Sequence, residues 1–257
     1  MPASPALARE NLLALTAPSR HGGGRAGLAA ATAVLGRVAR AEPSTALILA
    51  MQYHVHATMA GRWPDEAVER IARSAARDGA LINTLRVEPA LGTPARGGLP
   101  ATVARRTADG WRLGGHKIYS TGAPALAWLA VWARTDDAEP LVGNFLVPAD
   151  APGVRIVESW NHLGMRGSGS HDVILEDVAL PAAAALELKA PALWSQLDPV
   201  VGAWIALVVA AVYDGIARAA QEWLVRFVQA RAPSNLGAPL ATLPRFQESA
   251  PLPGCSR

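Results

Sequence analysis

Apolar positions from Leu28 to Arg40, and again from Pro43 to Ala60, recur at helical spacing without strand alternation, which predicts two helices. Glu42-Pro43-Ser44 separates them and starts the second, since proline is tolerated in a first turn. The second helix is apolar almost all round as far as Gln52, a pattern that calls for burial on several sides. A third helix is expected to open at Trp63-Pro64-Asp65-Glu66 and to stop at Asp78-Gly79, with glycine ending it.

The texture then changes. Residues 80–181 are punctuated by glycine and proline, with short β-branched and aromatic runs between. Thr102–Arg106, Trp111–Tyr119, Ala127–Arg134, Gly143–Pro148, Val154–Glu158 and Asp172–Val178 read as strands of a compact antiparallel barrel or sandwich. Ala182–Pro199 reads as a linker. A helix from about Val200 to Arg231 follows, roughly 45 Å long at 1.5 Å per residue, and Pro233 with Asn235-Leu236-Gly237 ends it. The tail, Ser249–Arg257, has no periodicity and reads as disordered. The expected class is α+β in three parts: helices over 1–79, a middle β-domain over 80–181, and a linker with a helical remainder over 182–257.

Composition narrows the function. At 257 residues, 51% apolar and 18% charged, the chain can bury a full core. A net charge of +3 with no basic run argues against nucleic acid. The single cysteine, Cys255, excludes an intrachain disulfide and a cysteine metal cluster, so no metal site is expected. No secretory signal opens the sequence, and the longest apolar run, Val200–Val212, falls short of the ~20 residues a bilayer takes. The expectation is a soluble cytoplasmic protein without a membrane partner. Gly22-Gly23-Gly24 is not a dinucleotide loop, because no strand–helix unit with the required glycine spacing surrounds it.

Two stretches carry a family resemblance: G-H-K-I-Y-S-T-G (Gly115–Gly122) and W-N-H-L-G-M-R-G-S-G-S-H-D-V-I-L-E-D-V-A-L-P (Trp160–Pro181). Their order and spacing resemble the middle β-domain of the acyl-CoA dehydrogenase superfamily, and the resemblance runs from about Leu12 to Glu248. Leu91–Thr102 and Asn235–Glu248 resemble its branch of reduced-flavin monooxygenases, similar to dibenzothiophene monooxygenase. The fold so implied is N-terminal helices, a β-domain, and a long helix from an incomplete C-terminal bundle. The cofactor implied is FMN or FAD. The partners implied are a flavin reductase and further copies of the chain, since intact relatives form tetramers.

The resemblance also assigns residues. One flavin loop matches Leu85–Thr93, where relatives carry a threonine at the place of Val87, so only the Val87 backbone could serve; Thr93 matches a serine of the family. Taken alone, Glu88-Pro89 and Gly92-Thr93 are a plain pair of turns. The second loop is Tyr119-Ser120-Thr121, with the aromatic against the isoalloxazine and the Thr121 hydroxyl near flavin N5; alone it reads as a strand end. A planar, electron-poor ring favours an aromatic neighbour and a few directed donors. Tyr53-His54 matches an aromatic–histidine pair of the monooxygenase branch, which implies acid/base work for His54 rather than His56. A histidine in an apolar helix is otherwise a core or interface residue, and two residues apart the pair faces different ways, unlike a metal pair. Arg231 resembles a position that reaches a flavin phosphate across a subunit boundary; its other reading is a solvated helix-terminal charge. The loop around Arg166 reads as a strand-joining turn.

An acyl-CoA dehydrogenase would also need a glutamate base, and the long helix offers only Glu222. The abrupt loss of pattern after Glu248 suggests a tail out of register or a truncated gene, and the start looks short by one or two helices. Three functions stay open: a reduced-flavin/O₂ monooxygenase acting on a small organosulfur or similar apolar molecule, an acyl-CoA dehydrogenase using FAD, and an inactive remnant or partner of an intact paralogue.

Overall fold

The computed structural model describes residues 5–91, 98–195 and 198–249. A short helix α1 (Pro5–Arg9) precedes three longer ones, α2 (Leu28–Ala41), α3 (Pro43–Met59) and α4 (Asp65–Asp78). The boundaries follow local chemistry. The Glu42 carboxylate accepts from the Ser44 and Thr45 N–H groups while Pro43 occupies the first turn of α3. Gly79 closes α4 at φ 67°, a left-handed position that suits glycine.

Seven strands follow: β1 (Leu81–Leu85), β2 (Val103–Thr107), β3 (Gly110–Lys117), β4 (Leu126–Thr135), β5 (Val142–Pro148), β6 (Val154–Val157) and β7 (Asp172–Pro181). They form one curled mixed sheet in the order β1-β4-β2-β3-β7-β6, with β5 also on β4. The sheet is therefore not wholly antiparallel. Both β1 and β2 run parallel to β4, the first along Leu126–Val131 and the second at Arg134–Thr135, while β5 is antiparallel to it. Strand β1 is an element the sequence pattern did not announce. The expected linker is partly bound to the sheet, through bridges from Lys189 to Val142 and from Ala185 to Phe145.

Period-2 alternation on β4 divides the core. Leu129, Val131 and Ala133 face a large cluster that includes Leu35, Leu49, Tyr53, Trp111, Phe145 and Val212. Ala130 faces a second cluster with Val55, Met59, Val68, Ile71, Ile82 and Leu146. Helix α3 supplies residues to both clusters, the physical reason it is apolar all round.

Helix α5 (Pro199–Ala230) is capped by the Asp198 carboxylate on the Val200 and Val201 N–H groups. It crosses α2 at close range: a Cβ on Gly215 would fall 2.6 Å from the Gly36 carbonyl oxygen and 2.8 Å from the Ala39 Cβ. Val208, Val212 and Gly215 are buried at this crossing, while Val200, Tyr213, Trp223 and Phe227 are exposed. Its 32 residues are long and apolar enough, by length and composition only, to cross a membrane, so the argument from run length is corrected here. A short helix α6 (Pro244–Ser249) ends the described residues; Cys255 and the tail beyond 249 lie outside them.

Candidate functional site

The corner following β3 is held from behind by a buried ion pair. Lys117 Nζ donates to Glu88 Oε1 at 2.6 Å and to the Trp132 carbonyl, and both charged side chains are essentially sealed from solvent. Glu88 also accepts from the Ala101 N–H at 2.6 Å, the Thr102 N–H at 3.1 Å and the Thr102 hydroxyl. Burial pushes the Glu88 carboxyl up, but the Lys117 and Thr102 hydrogen bonds, with the lysine charge, hold it below its ordinary value. For Lys117 burial outweighs the carboxylate and brings its pKa down to about 8. The Glu-Pro turn and the Tyr119 corner are thus stapled together. The Ile118 N–H bonds the Val87 carbonyl at 3.0 Å, which sets Val87 directly beside the corner.

Tyr119 sits at φ 54°, a left-handed conformation uncommon for an aromatic residue, and the residue is 54% exposed. It meets Trp160 edge-on at 6.1 Å and His162 at 6.0 Å, and Trp160 and His162 lie 4.0 Å apart. The Trp160 indole N–H donates to the Met165 carbonyl, fixing this aromatic shelf on the loop before β7. Ser120 is buried, with a hydroxyl that has no partner.

Thr121 ends a chain of hydroxyls. Ser170 Oγ donates to Thr121 Oγ1 at 3.1 Å, and Ser168 Oγ lies 2.8 Å from Ser170 Oγ. A serine has one hydroxyl proton, so with Ser170 giving its own to Thr121, Ser168 must donate to Ser170. The Thr121 proton is then free for a further acceptor. Asn83 Nδ2 bonds the Thr121 carbonyl, and the Gly122 N–H bonds the Ser168 carbonyl at 2.8 Å, so β1 and the Gly-Ser-Gly-Ser loop both fix the corner. The loop of Arg166 is therefore more than a connecting turn. Ser168, Ser170, Asn83, Trp160 and His162 are candidate site residues to which sequence reasoning gave no role, although all but Asn83 lie within the Trp160–Pro181 stretch.

Of the other expected positions, Thr93 lies outside the described residues. His54 is not hydrogen-bonded to this corner. Ile48 of α3 packs at Gly122, and His54, six residues on, is ~9 Å further along the helix and on a different side. Its Nδ1 is buried without a partner, and burial, with the Arg62 and Arg86 charges, lowers its pKa to about 4, so the imidazole is neutral at pH 7. Arg231 caps the end of α5, exposed, far along the chain from the corner's elements. Glu222 is ion-paired with Arg40 on the α2–α5 side. Two carboxylates flank the corner, and both are engaged: Glu88 as described, and Asp172 with His116 Nε2 and the Ser159 hydroxyl. Among the described residues no three His, Cys, Asp or Glu side chains could hold a metal ion together.

Comparison with known proteins places this geometry. Residues 86–178 match the family acyl-CoA dehydrogenase, middle domain. The chain is 33% identical to "Putative acyl-CoA dehydrogenase YdbM" of Bacillus subtilis over 236 residues, 91% of this chain and 60% of that protein. It is 31% identical to the amino sugar nitrososynthase RubN8 of Streptomyces rubradiris over 235 residues, 88% of this chain and 54% of that one. The solved structure of KijD3 in complex with FMN and a dTDP-linked amino keto sugar superposes with a TM-score of 0.76 at 30% identity, covering 90% of this chain and 57% of that one. A glutaryl-CoA dehydrogenase from Mycobacterium smegmatis in complex with FADH2 shares the fold, with a TM-score of 0.79 at 24% identity over 95% of this chain and 60% of that one. The chain thus spans between about half and 60% of the length of these relatives.

Proposed function

The chain belongs to the acyl-CoA dehydrogenase superfamily, as a partial chain covering the middle domain, and from that premise we propose that it forms the flavin-facing part of a flavin-dependent oxidoreductase. The observation that carries this reading is the Ser168–Ser170–Thr121 chain, which leaves the Thr121 hydroxyl proton for a further acceptor two residues from the exposed Tyr119. The residues present fit an isoalloxazine: an aromatic shelf for a planar face, one directed donor at Thr121, and a buried Ser120 hydroxyl still lacking a partner. When bound, FMN or FAD would supply the electron-transfer chemistry that no side chain here can perform. Tyr119 would orient the ring, Thr121 would donate to its edge, and the Val87 backbone would border the pyrimidine side.

The finer reading is a reduced-flavin, O₂-using monooxygenase acting on a small organosulfur or similar apolar molecule between α3, α5 and the β-domain. Two observations support an oxygenase over a dehydrogenase. Among the described residues, the two carboxylates beside the corner, Glu88 and Asp172, are both engaged, and Glu222 is ion-paired with Arg40. The amino sugar nitrososynthase relative, and separately KijD3, solved with FMN, lean the same way. The dehydrogenase reading is favoured in turn by the name of the Bacillus subtilis relative. His54 enters this scheme as a neutral imidazole, able to donate or accept a hydrogen bond. Arg231 keeps its expected role toward a flavin phosphate only across a subunit boundary. A flavin reductase as electron source, a homo-oligomer closing over the open face of α5, and a cytoplasmic location complete the proposal.

Titration with oxidised and reduced FMN and FAD, followed by flavin absorbance and tryptophan fluorescence, tests the reading. Saturable binding is expected, weakened about 2- to 12-fold in Thr121→Val by the loss of one hydrogen bond. Protein that binds neither flavin in either state would instead be an inactive remnant. With binding in hand, oxygen uptake with reduced FMN and thiophenes or sulfones, set against dye reduction with acyl-CoA, separates oxygenase from dehydrogenase.

A further inference from the structure

Arg86 follows strand β1, and the parallel register that sets Leu85 opposite Val131 brings it beside Trp132. Its guanidinium lies 4.1 Å from the Trp132 ring centroid, and Trp132 in turn meets Trp194 edge-on at 4.3 Å. The stack uses the face of the guanidinium and fixes its plane, which leaves the N–H edge for other contacts. No protein group takes that edge: Arg86 makes no hydrogen bond and no ion pair among the described residues. Its Nε is buried without a partner, whereas the two terminal amino groups, equally unbonded, keep accessible surface in this half-buried residue.

The charges around Arg86 do not balance. Glu187 is buried, and its carboxylate accepts from Arg62 Nη2 at 2.8 Å and from Lys189 Nζ at 2.7 Å. Glu88 is taken by Lys117. Four cations, Arg62, Arg86, Lys117 and Lys189, thus share two carboxylates, and Arg86 is paired with neither. Burial and the Arg62 charge hold the Arg86 pKa below its ordinary value, and Glu187 offsets them in part. A half-buried cation without a counter-charge works against stability, and such features are kept where function uses them. His54 of α3 lies in the same field, since Arg62 and Arg86 add to burial in lowering its pKa. Its Nε2, unlike the buried Nδ1, keeps accessible surface, and it too makes no hydrogen bond. An open guanidinium edge, an open imidazole nitrogen and a surplus of positive charge together describe the recognition of an oxyanion.

We propose that Arg86 anchors an oxyanion site between the end of β1 and α3, its N–H edge taking two oxygens of a small molecule's carboxylate or phosphoryl group and His54 Nε2 donating to the same group. The site does not rest on the flavin reading.

Calorimetric titration of the protein with inorganic phosphate and with benzoate, at constant ionic strength set with chloride, tests it. Saturable phosphate binding assigns a phosphoryl ligand and saturable benzoate binding a carboxylate; either supports the site. Benzyl alcohol, the uncharged counterpart of benzoate, should not bind. Phosphate that displaces FMN but not riboflavin would identify the cofactor's own phosphate as the occupant, which also supports the site. Arg86→Lys keeps the charge without the planar fork and should weaken binding several-fold; Arg86→Met should weaken it at least tenfold. Methionine keeps an apolar stem against Trp132 and removes an uncompensated cation, so the melting temperature in chloride alone should hold. Bound phosphate should also raise the His54 pKa, followed by NMR of the imidazole, in the parent protein and not in Arg86→Met. Thr121→Val should leave both anion affinities unchanged, so a failure at the flavin corner is separable from a failure here. Three results overturn the proposal: no saturable binding of either anion, undiminished binding in Arg86→Met, or a methionine variant melting several degrees lower, the mark of a purely structural arginine.

Discussion

Replacing Lys117 with methionine probes the staple behind the corner. The change removes a charge but keeps most of the side-chain volume, so packing against Trp132 is largely spared. Glu88 would keep its bonds from Ala101 and Thr102 but lose the one ion-pair partner it has among the described residues, at a site that is 2% exposed. Breaking a buried ion pair from one side typically costs about 3–5 kcal/mol, because the surviving charge stays desolvated. A protein of ordinary stability has about 5–15 kcal/mol in total, so the loss should be large in urea unfolding. Lys117→Met with Glu88→Gln removes both charges and should recover about 1–3 kcal/mol of it, since the amide oxygen in the Oε1 place still accepts from the Thr102 N–H and hydroxyl, although the bond from the Ala101 N–H to Oε2 is lost. If the single variant does not fold, the recovery of folding in the double variant is the readout. A single variant within 1 kcal/mol of the parent, or a double variant no better than the single, would refute the view that the pair is a buried, mutually dependent charge couple.

Further tests follow from other parts of the structure. Ser170→Ala removes the donor to Thr121 Oγ1, leaving Thr121 free to rotate, so flavin affinity should fall by about 2- to 12-fold with little change in melting temperature. Burial lowers the His56 pKa from 6.5 to about 3, so the unfolded chain takes up a proton that the folded one refuses. Stability from this group is complete above pH 6.5 and falls as the pH drops below it, by up to about 1.4 kcal/mol per unit; urea midpoints from pH 7 to 4.5 should show the slope, and His56→Leu should remove about half of it, since His54 is lowered in the same way. Gly215→Leu would force α5 off α2 at the Gly36 contact, so it should destabilise by about 1–3 kcal/mol or more, read by thermal unfolding.

The sequence made the helices and most strands legible because their signals are local. The α3 start at Glu42-Pro43, the Gly79 stop and the apolar runs of β3, β4, β5, β6 and β7 needed no distant partner to be seen. Strand β1 escaped because Leu-Ile-Asn-Thr-Leu is short and squeezed between a helix stop and a Glu-Pro turn, and its parallel pairing with β4 leaves no hairpin signal. The same limit governs the site. Tyr119–Thr121 stood out as a motif, but what orients it comes from far along the chain: Asn83 is 38 residues from Thr121, Ser170 is 49, and Glu88 is 29 from Lys117. Glu88-Pro89 looked like turn chemistry because its buried role appears only once Lys117 is folded against it.

Co-crystallisation with FMN would locate the ring itself. The expected map shows the isoalloxazine lying against Tyr119, with Thr121 Oγ1 at hydrogen-bond distance from N5 and the Ser120 hydroxyl acquiring a partner. A flavin bound elsewhere on the chain, or a Tyr119 corner that stays bare at saturating FMN, would contradict the assignment of this corner.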